Sequence, residues 1–410
     1  MCTRSLLSGA SKNGQSKHAS DEMPNLDFLR AVAVLLVLLS HLISYRDYAQ
    51  DLGPLRLNWM GAVGVDFFFV HTCFVLMLSL ERQWKSQGAL QLFGSFMIRR
   101  IFRIYPLSMA SVVLIVAFSL PQAQLSRGHF SAASPDLAMI ASNLMLVQGS
   151  GRSILGVMWS LPYEMAMYLF LPWLFLWLYL NKSLWRVFVV WLISVLGGVT
   201  FLIYSGWPKR QYFFLYIPCF LSGVIGYQLQ RARRGRLPAL IWPAVVIGAV
   251  PLYLYKYKQN FMSDYPLKAW LVCLLLGLTA SFFAQITIKW ITKPSHLIAK
   301  YSYGIYLTHC FCIWLCFQRL HGVLPRVVRL GLFAGLLAGL PLLFYHILEE
   351  PLILVGKGVS GRFEEIAARS KICRACSFSV FVANCPGSVR VLSALKTSAS
   401  ARRLLPRVGR

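Results

Sequence analysis

Acidic side chains are scarce in this sequence: Asp and Glu together number 14 among 410 residues, and all charged residues make up 13%. Soluble chains carry roughly twice that share of charge, so an ordinary cytosolic enzyme and a disordered chain are both excluded. Runs of ten alternating residues are missing, which excludes a transmembrane barrel. Internal repeats, a Gly-x-Ser-x-Gly elbow and a phosphate loop are missing too. The His-x4-Asp pattern of soluble acyltransferases also fails, because Asp47 follows His41 one residue too late and Arg46 holds the required position. What is abundant is apolar: 57% of residues are hydrophobic and mean hydropathy is +0.59. The composition is that of an integral membrane protein.

Apolar runs of about 18 residues or more read as membrane spans. Ten are found, at 26–44, 60–80, 105–121, 157–180, 188–205, 211–229, 239–255, 268–288, 301–318 and 330–349, with 137–147 as an interfacial segment. The net charge of +27 invites a nucleic-acid partner until the basic residues are placed. With a cytoplasmic N-terminus, 28 of the 41 Lys and Arg fall in inside segments and 12 outside, Arg30 lying within a span. This is the positive-inside pattern, so the charge reports topology and attraction to anionic lipid rather than nucleic acid. The expected fold is all-α: a polytopic membrane protein of about ten transmembrane helices with both termini cytoplasmic. Three regions are expected: a short N-terminal segment 1–23, a membrane domain 24–352, and a basic, loosely ordered tail 353–410.

No cleavable secretory signal is expected, since the first apolar run carries Asp27 and Arg30 and is too long for one. Cys73, Cys219, Cys273, Cys310, Cys312 and Cys316 lie in or beside spans, where small apolar packing is the ordinary role. Cys373, Cys376 and Cys385 lack a fourth ligand at useful spacing, so no metal is expected there.

Ionisable groups inside spans are costly and mark sites or pathways. The first span carries three. Asp27 and Arg30 are i,i+3 neighbours and can form an ion pair. Eleven residues separate Arg30 from His41, about 1,100° of rotation, so the two share a face roughly 16 Å apart along the axis. The second span holds Asp66 among Phe67, Phe68 and Phe69, where it serves as a helix cap, as an arginine's partner or as a functional carboxylate. Arg99, Arg100 and Arg103 stand at a helix entrance before Pro106 and suit either a phosphate-bearing anion or a topological anchor. Glu164 sits in Trp159-Ser160-Leu161-Pro162-Tyr163-Glu164, one turn before Tyr168. The ninth span opens Tyr301-Ser302-Tyr303-Gly304-Ile305-Tyr306-Leu307-Thr308-His309, and the last ends near His346 and Glu349-Glu350-Pro351.

In order and spacing these pieces resemble the membrane acyltransferase-3 family, O-acyltransferases of bacterial surface polysaccharides, lipopolysaccharide O-antigens and Nod factors. The matching pieces are Asn25-Leu26-Asp27-Phe28-Leu29-Arg30-Ala31 with His41, Gly64-Val65-Asp66-Phe67-Phe68-Phe69-Val70, Arg99 to Pro106, Trp159-Ser160-Leu161 with Glu164 and Tyr168, and Tyr301 to Leu307 with His309. They cover about residues 24–352. The resemblance implies transfer of an acyl group, usually acetyl, from cytoplasmic acyl-CoA to a glycan hydroxyl at the outer side of a bacterial inner membrane. It also implies a functional pair Arg30 and His41, with Arg100 and Arg103 in a donor-binding motif. Arg99 is grouped with them, Asp27 with the catalytic pair, and Asp66, Trp159, Glu164, Tyr168, Tyr303 and His309 are candidates for substrate contact.

Two departures stand out. Where the family reads Ser-Gly-Phe, this chain has Thr72-Cys73-Phe74, which removes a serine and the packing a glycine allows. The extracellular SGNH domain of many relatives is not expected here, so the enzyme would work alone or hand its acyl group to another protein. The residue types suit the chemistry, since acyl transfer needs a base and oxyanion donors. His41 is the natural base; Arg30 cannot deprotonate and is placed to hold the donor. Asp66 and Glu164 are candidates to orient His41 or bind sugar. The competing class is an exporter of a lipid-linked glycan, with the same residues as a proton relay, although no inverted repeat supports it.

Overall fold

The computed structural model describes residues 23–46, 51–84, 88–120, 122–126, 129–131, 135–147, 153–181, 183–205, 212–232, 237–255 and 264–383. The N-terminal segment 1–22, Asp47, Cys385 and the tail beyond 383 lie outside them. Hydrocarbon leaves backbone groups no water to bond, so apolar segments close their own hydrogen bonds as helices. They are α1 (Pro24–Arg46), α2 (Met60–Trp84), α3 (Ala89–Ala117), the short α4 (Leu137–Leu144), α5 (Leu161–Asn181), α6 (Leu184–Ser205), α7 (Ile217–Ala232), α8 (Ile241–Leu254), α9 (Asp264–Ala280), α10 (Lys289–Ile313), α11 (Arg326–Phe344) and α12 (Glu350–Ala383). Two small hairpins pair Asp51–Leu52 with Leu55–Arg56 and Gln122–Ser126 with His129–Ser131.

Among the described residues, seven helical stretches are long and apolar enough to cross a membrane. The other three expected spans also become helices but miss that standard. Both α8 and the apolar part of α9 are short, and α10 begins at Lys289, twelve residues before the expected start at 301. Lys289, Lys293 and Lys300 read as loop in the sequence, yet they ride on the polar first half of α10. The last stretch corrects the expected end of ordered chain. After α11 a π-helical turn, Tyr345–Glu349, leads straight into α12, so residues from 353 continue a helix. Ser360 and Glu364 on that helix bind Arg99 of α3.

The core is a row of packed helices, α11–α10–α1–α2–α7–α9, with α3 against α12 and α6 against α7. Helix α1 starts at a proline with Asp27 in its first turn, a favourable N-terminus. Asn25 anchors that start: its side chain donates to the Ala284 carbonyl (3.1 Å) and accepts from Ile286 N (3.0 Å), while Trp242 donates to its carbonyl (2.9 Å). Small residues let membrane helices approach closely. A Cβ on Gly64 would strike the Ala33 carbonyl of α1, and one on Gly223 of α7 would strike the Val70 carbonyl of α2. At the second contact α7 supplies the small residue, and Cys73 of α2 is itself buried.

Candidate active site

Helices α1, α2, α5 and α10 enclose a cavity of about 60 Å³ whose polar walls include Arg30, Thr72, Ser160, Glu164, Ser302 and Tyr306. Phe68 and Phe69 line its apolar side. Arg30 Nε donates to Ser302 Oγ at 2.6 Å, and the Ser302 hydroxyl donates to the Ala299 carbonyl at 2.8 Å. Thr72 donates to Glu164 Oε1 at 2.9 Å. Tyr306 donates its hydroxyl to the Val157 carbonyl, so at 2.9 Å it accepts from Ser160.

The charges around Arg30 form one group, mostly half-buried, with Glu349 fully buried. Arg103, Glu164 and Glu349 act on it electrostatically, and Arg100 is coupled to Arg103 and Glu164. Three guanidiniums against two carboxylates leave an excess of positive charge, suited to an anion. Two atoms in the group are buried without a hydrogen-bond partner among the described residues, Arg100 Nε and Glu349 Oε1. Such groups are costly unless something completes them.

The C-terminal ends of α1 and α10 carry the second cluster. His41 Nδ1 is 2.9 Å from the Val37 carbonyl, and His309 Nδ1 is 3.0 Å from the Ile305 carbonyl. The two rings meet edge-on with centroids 5.0 Å apart, and Cys310 Sγ lies 3.4 Å from His309 Nε2. His41, His309 and Cys310 are also the one trio among the described residues whose ligand atoms come within 4.8 Å of each other for a metal.

The sequence-derived candidates separate in space. Arg30 and His41 share the face of α1 that meets α10, where they oppose Ser302 and His309. Asp27 does not pair with Arg30; it bonds His296 Nδ1 at 2.8 Å, because Arg30 is turned to Ser302. Arg99 leaves the group of arginines and is bound to Glu364 at 2.8 Å. Asp66 is neither a helix cap nor an arginine's partner, and it orients no histidine. It lies on another face of α2, where Tyr253 donates to Oδ2 at 2.6 Å and Cys273 contacts its carbonyl. Glu164 and Tyr303 line the cavity; Tyr303 donates to the Ile104 carbonyl at 2.7 Å. Tyr168 packs edge-on against Phe96, and Trp159 against Tyr163 and Tyr216. Both belong to the aromatic wall behind the cavity rather than its lining.

Thr72, Ser160, Ser302, Tyr306 and Glu349 were not among the sequence candidates. Ser302 was detectable: it precedes His309 by seven residues, two helical turns, so both fall on one face as Arg30 and His41 do. Glu349 also had a signal, as a carboxylate at the end of an apolar run.

The helical membrane bundle thus holds a small polar cavity lined by Arg30, Glu164 and several hydroxyls, with a histidine pair on two of the helices that wall it. Residues 23–346 match the acyltransferase domain of the acyltransferase-3 family, and the chain belongs to that family. It is similar to peptidoglycan O-acetyltransferase OatA of Listeria monocytogenes, 26% identical over 373 residues, 82% of this chain and 57% of that protein. It is also similar to the Staphylococcus aureus (strain MSSA476) protein named "Putative O-acetyltransferase SAS0844", 27% identical over 57% of this chain and 37% of that one. The chain thus spans between about a third and three fifths of the length of these relatives. No solved structure matches it.

Proposed function

We propose that this O-acetyltransferase relative moves an acetyl group from cytoplasmic acyl-CoA to a hydroxyl of an envelope glycan, with peptidoglycan the acceptor that the relatives' names favour. The observation that carries the reading is the disposition of Arg30 and His41 on one face of α1. Arg30 belongs to the arginine group and His41 stands about 16 Å further along the helix. Coenzyme A has its phosphates at one end and its thioester on a long flexible arm, so a single donor can occupy both places. Arg100 and Arg103 bind phosphate, Arg30 and the hydroxyls of the cavity hold the arm, and the thioester carbonyl reaches His41.

His41 takes the proton of the acceptor hydroxyl as its oxygen attacks the thioester carbonyl. The carbon–sulfur bond breaks, and the departing thiolate takes that proton from His41. The positive-inside charge distribution supports an orientation with the arginine group toward the cytoplasm and His41 toward the outside, the direction this transfer requires. Among the described residues, Glu164 bonds Thr72 within the cavity and no carboxylate hydrogen-bonds His41, which favours transfer over a carboxylate relay for glycan export. The discriminating experiment is mass spectrometry of envelope glycan with and without the gene. A transferase changes acetyl decoration at constant glycan amount; an exporter changes the amount.

A further inference from the structure

The two histidines have a determined proton arrangement. A carbonyl oxygen only accepts hydrogen bonds, so the contacts to Val37 and Ile305 put the proton of both rings on Nδ1. Each ring then keeps one lone pair, on Nε2. That of His309 stands 3.4 Å from His41 Nδ1, whose N–H it shares with the Val37 carbonyl. Cys310 Sγ also lies 3.4 Å from that nitrogen. His309 is 1% exposed whereas His41 is half-buried, so of the two rings His41 is the one open to a substrate hydroxyl.

We propose that His309 is a positioning residue for His41: a neutral acceptor behind the base that fixes its tautomer, leaves Nε2 to the substrate, and stabilises the imidazolium formed during transfer. The inference rests on His41 being the base. When the acceptor hydroxyl gives its proton to His41 Nε2, positive charge spreads to Nδ1–H, which faces the His309 lone pair. The proton then leaves from Nε2 to the coenzyme A thiolate, and His309 itself neither gains nor loses one. Soluble hydrolases assign this place to an aspartate. Within a bilayer an ionised carboxylate needs a buried counter-ion, whereas an imidazole presents an acceptor lone pair without charge. Among the described residues, Cys310 and Tyr306, both on α10, stand beside His309. No carboxylate or cationic side chain hydrogen-bonds either ring among the described residues.

The test compares His309→Phe, which keeps ring volume without an acceptor, with His309→Gln, whose amide oxygen can accept. Transfer is measured in membranes across acyl-CoA concentration and pH, at matched protein level. The inference expects kcat of His309→Phe to fall by about 10- to 100-fold, within the range that base catalysis supplies. Its KM for acyl-CoA should stay unchanged and its acid limb should move to lower pH, as the imidazolium loses support. His309→Gln should recover most of the loss. If the Phe variant does not accumulate, His309→Leu replaces it. Wild-type kcat in the variant lacking an acceptor, or equal losses in both variants with an unchanged pH profile, overturns the inference. His41→Ala separates the two levels: if it remains active, the base assignment itself fails, while an inactive His41→Ala beside a fully active His309→Phe removes only the role of His309.

Discussion

Arg30 on the first helix donates through Nε to the hydroxyl of Ser302 on α10, 2.6 Å away and 272 residues on in sequence. The bond fixes a guanidinium at the cavity wall. Removing the hydroxyl with Ser302→Ala lets Arg30 swing. A hydrogen bond to a charged group is worth about 1.5–3 kcal/mol, so the apparent KM for acyl-CoA should rise about tenfold or more, with glycan dependence little changed. An unchanged donor titration would show that Arg30 needs no such support.

Arg100 and Arg103 separate an anchoring role from a binding one. The positive-inside rule counts Lys and Arg alike, but only guanidinium binds phosphate bidentately. Arg100→Lys with Arg103→Lys should keep membrane insertion and raise the acyl-CoA requirement by about tenfold or more. Arg99→Lys, by contrast, should leave donor dependence alone, because Arg99 bonds Glu364 and Ser360. Donor titration in membranes reads all three.

Thr72 stands where the family resemblance implies a serine, and its hydroxyl bonds Glu164. Thr72→Ser should retain transfer within a few-fold. Thr72→Val, similar in shape but with no donor, leaves Glu164 Oε1 unpaired at a cost of about 1–3 kcal/mol and should lower activity about five- to a hundred-fold. Equal rates for the two variants would make the hydroxyl irrelevant.

Packing gives a prediction independent of chemistry. Gly223→Ala drives a methyl group into the Val70 carbonyl, whereas Gly248→Ala on α8 meets nothing within 4 Å. Overpacking of this kind costs about 1–3 kcal/mol or more. Thermal unfolding in detergent should show a clear loss for the first and none for the second.

The intrahelical relations were legible in the sequence. The face shared by Arg30 and His41 follows from helical rotation, and the spans of α1 and α2 lie near their expected positions. Relations across helices were not. Local spacing offers Arg30 as the partner of Asp27, and nothing in the first span announces that His296 and Ser302 compete for them. Arg99 and Arg100 look equivalent in sequence, yet successive residues point about 100° apart on a helix, so one meets α12 and the other the core. Asp66 carries a family motif, but its partner Tyr253 lies in a distant helix. The start of α10 was hidden because three lysines resemble a loop until a helix gives them one polar side.

The base assignment of His41 bears the whole account, and acetyl content of the envelope glycan measures it most directly. In a strain lacking the chromosomal gene, a His41→Ala protein expressed to the wild-type level in the membrane should restore no acetylation, while the wild-type chain restores it fully. Normal acetylation by His41→Ala would contradict the account at its centre.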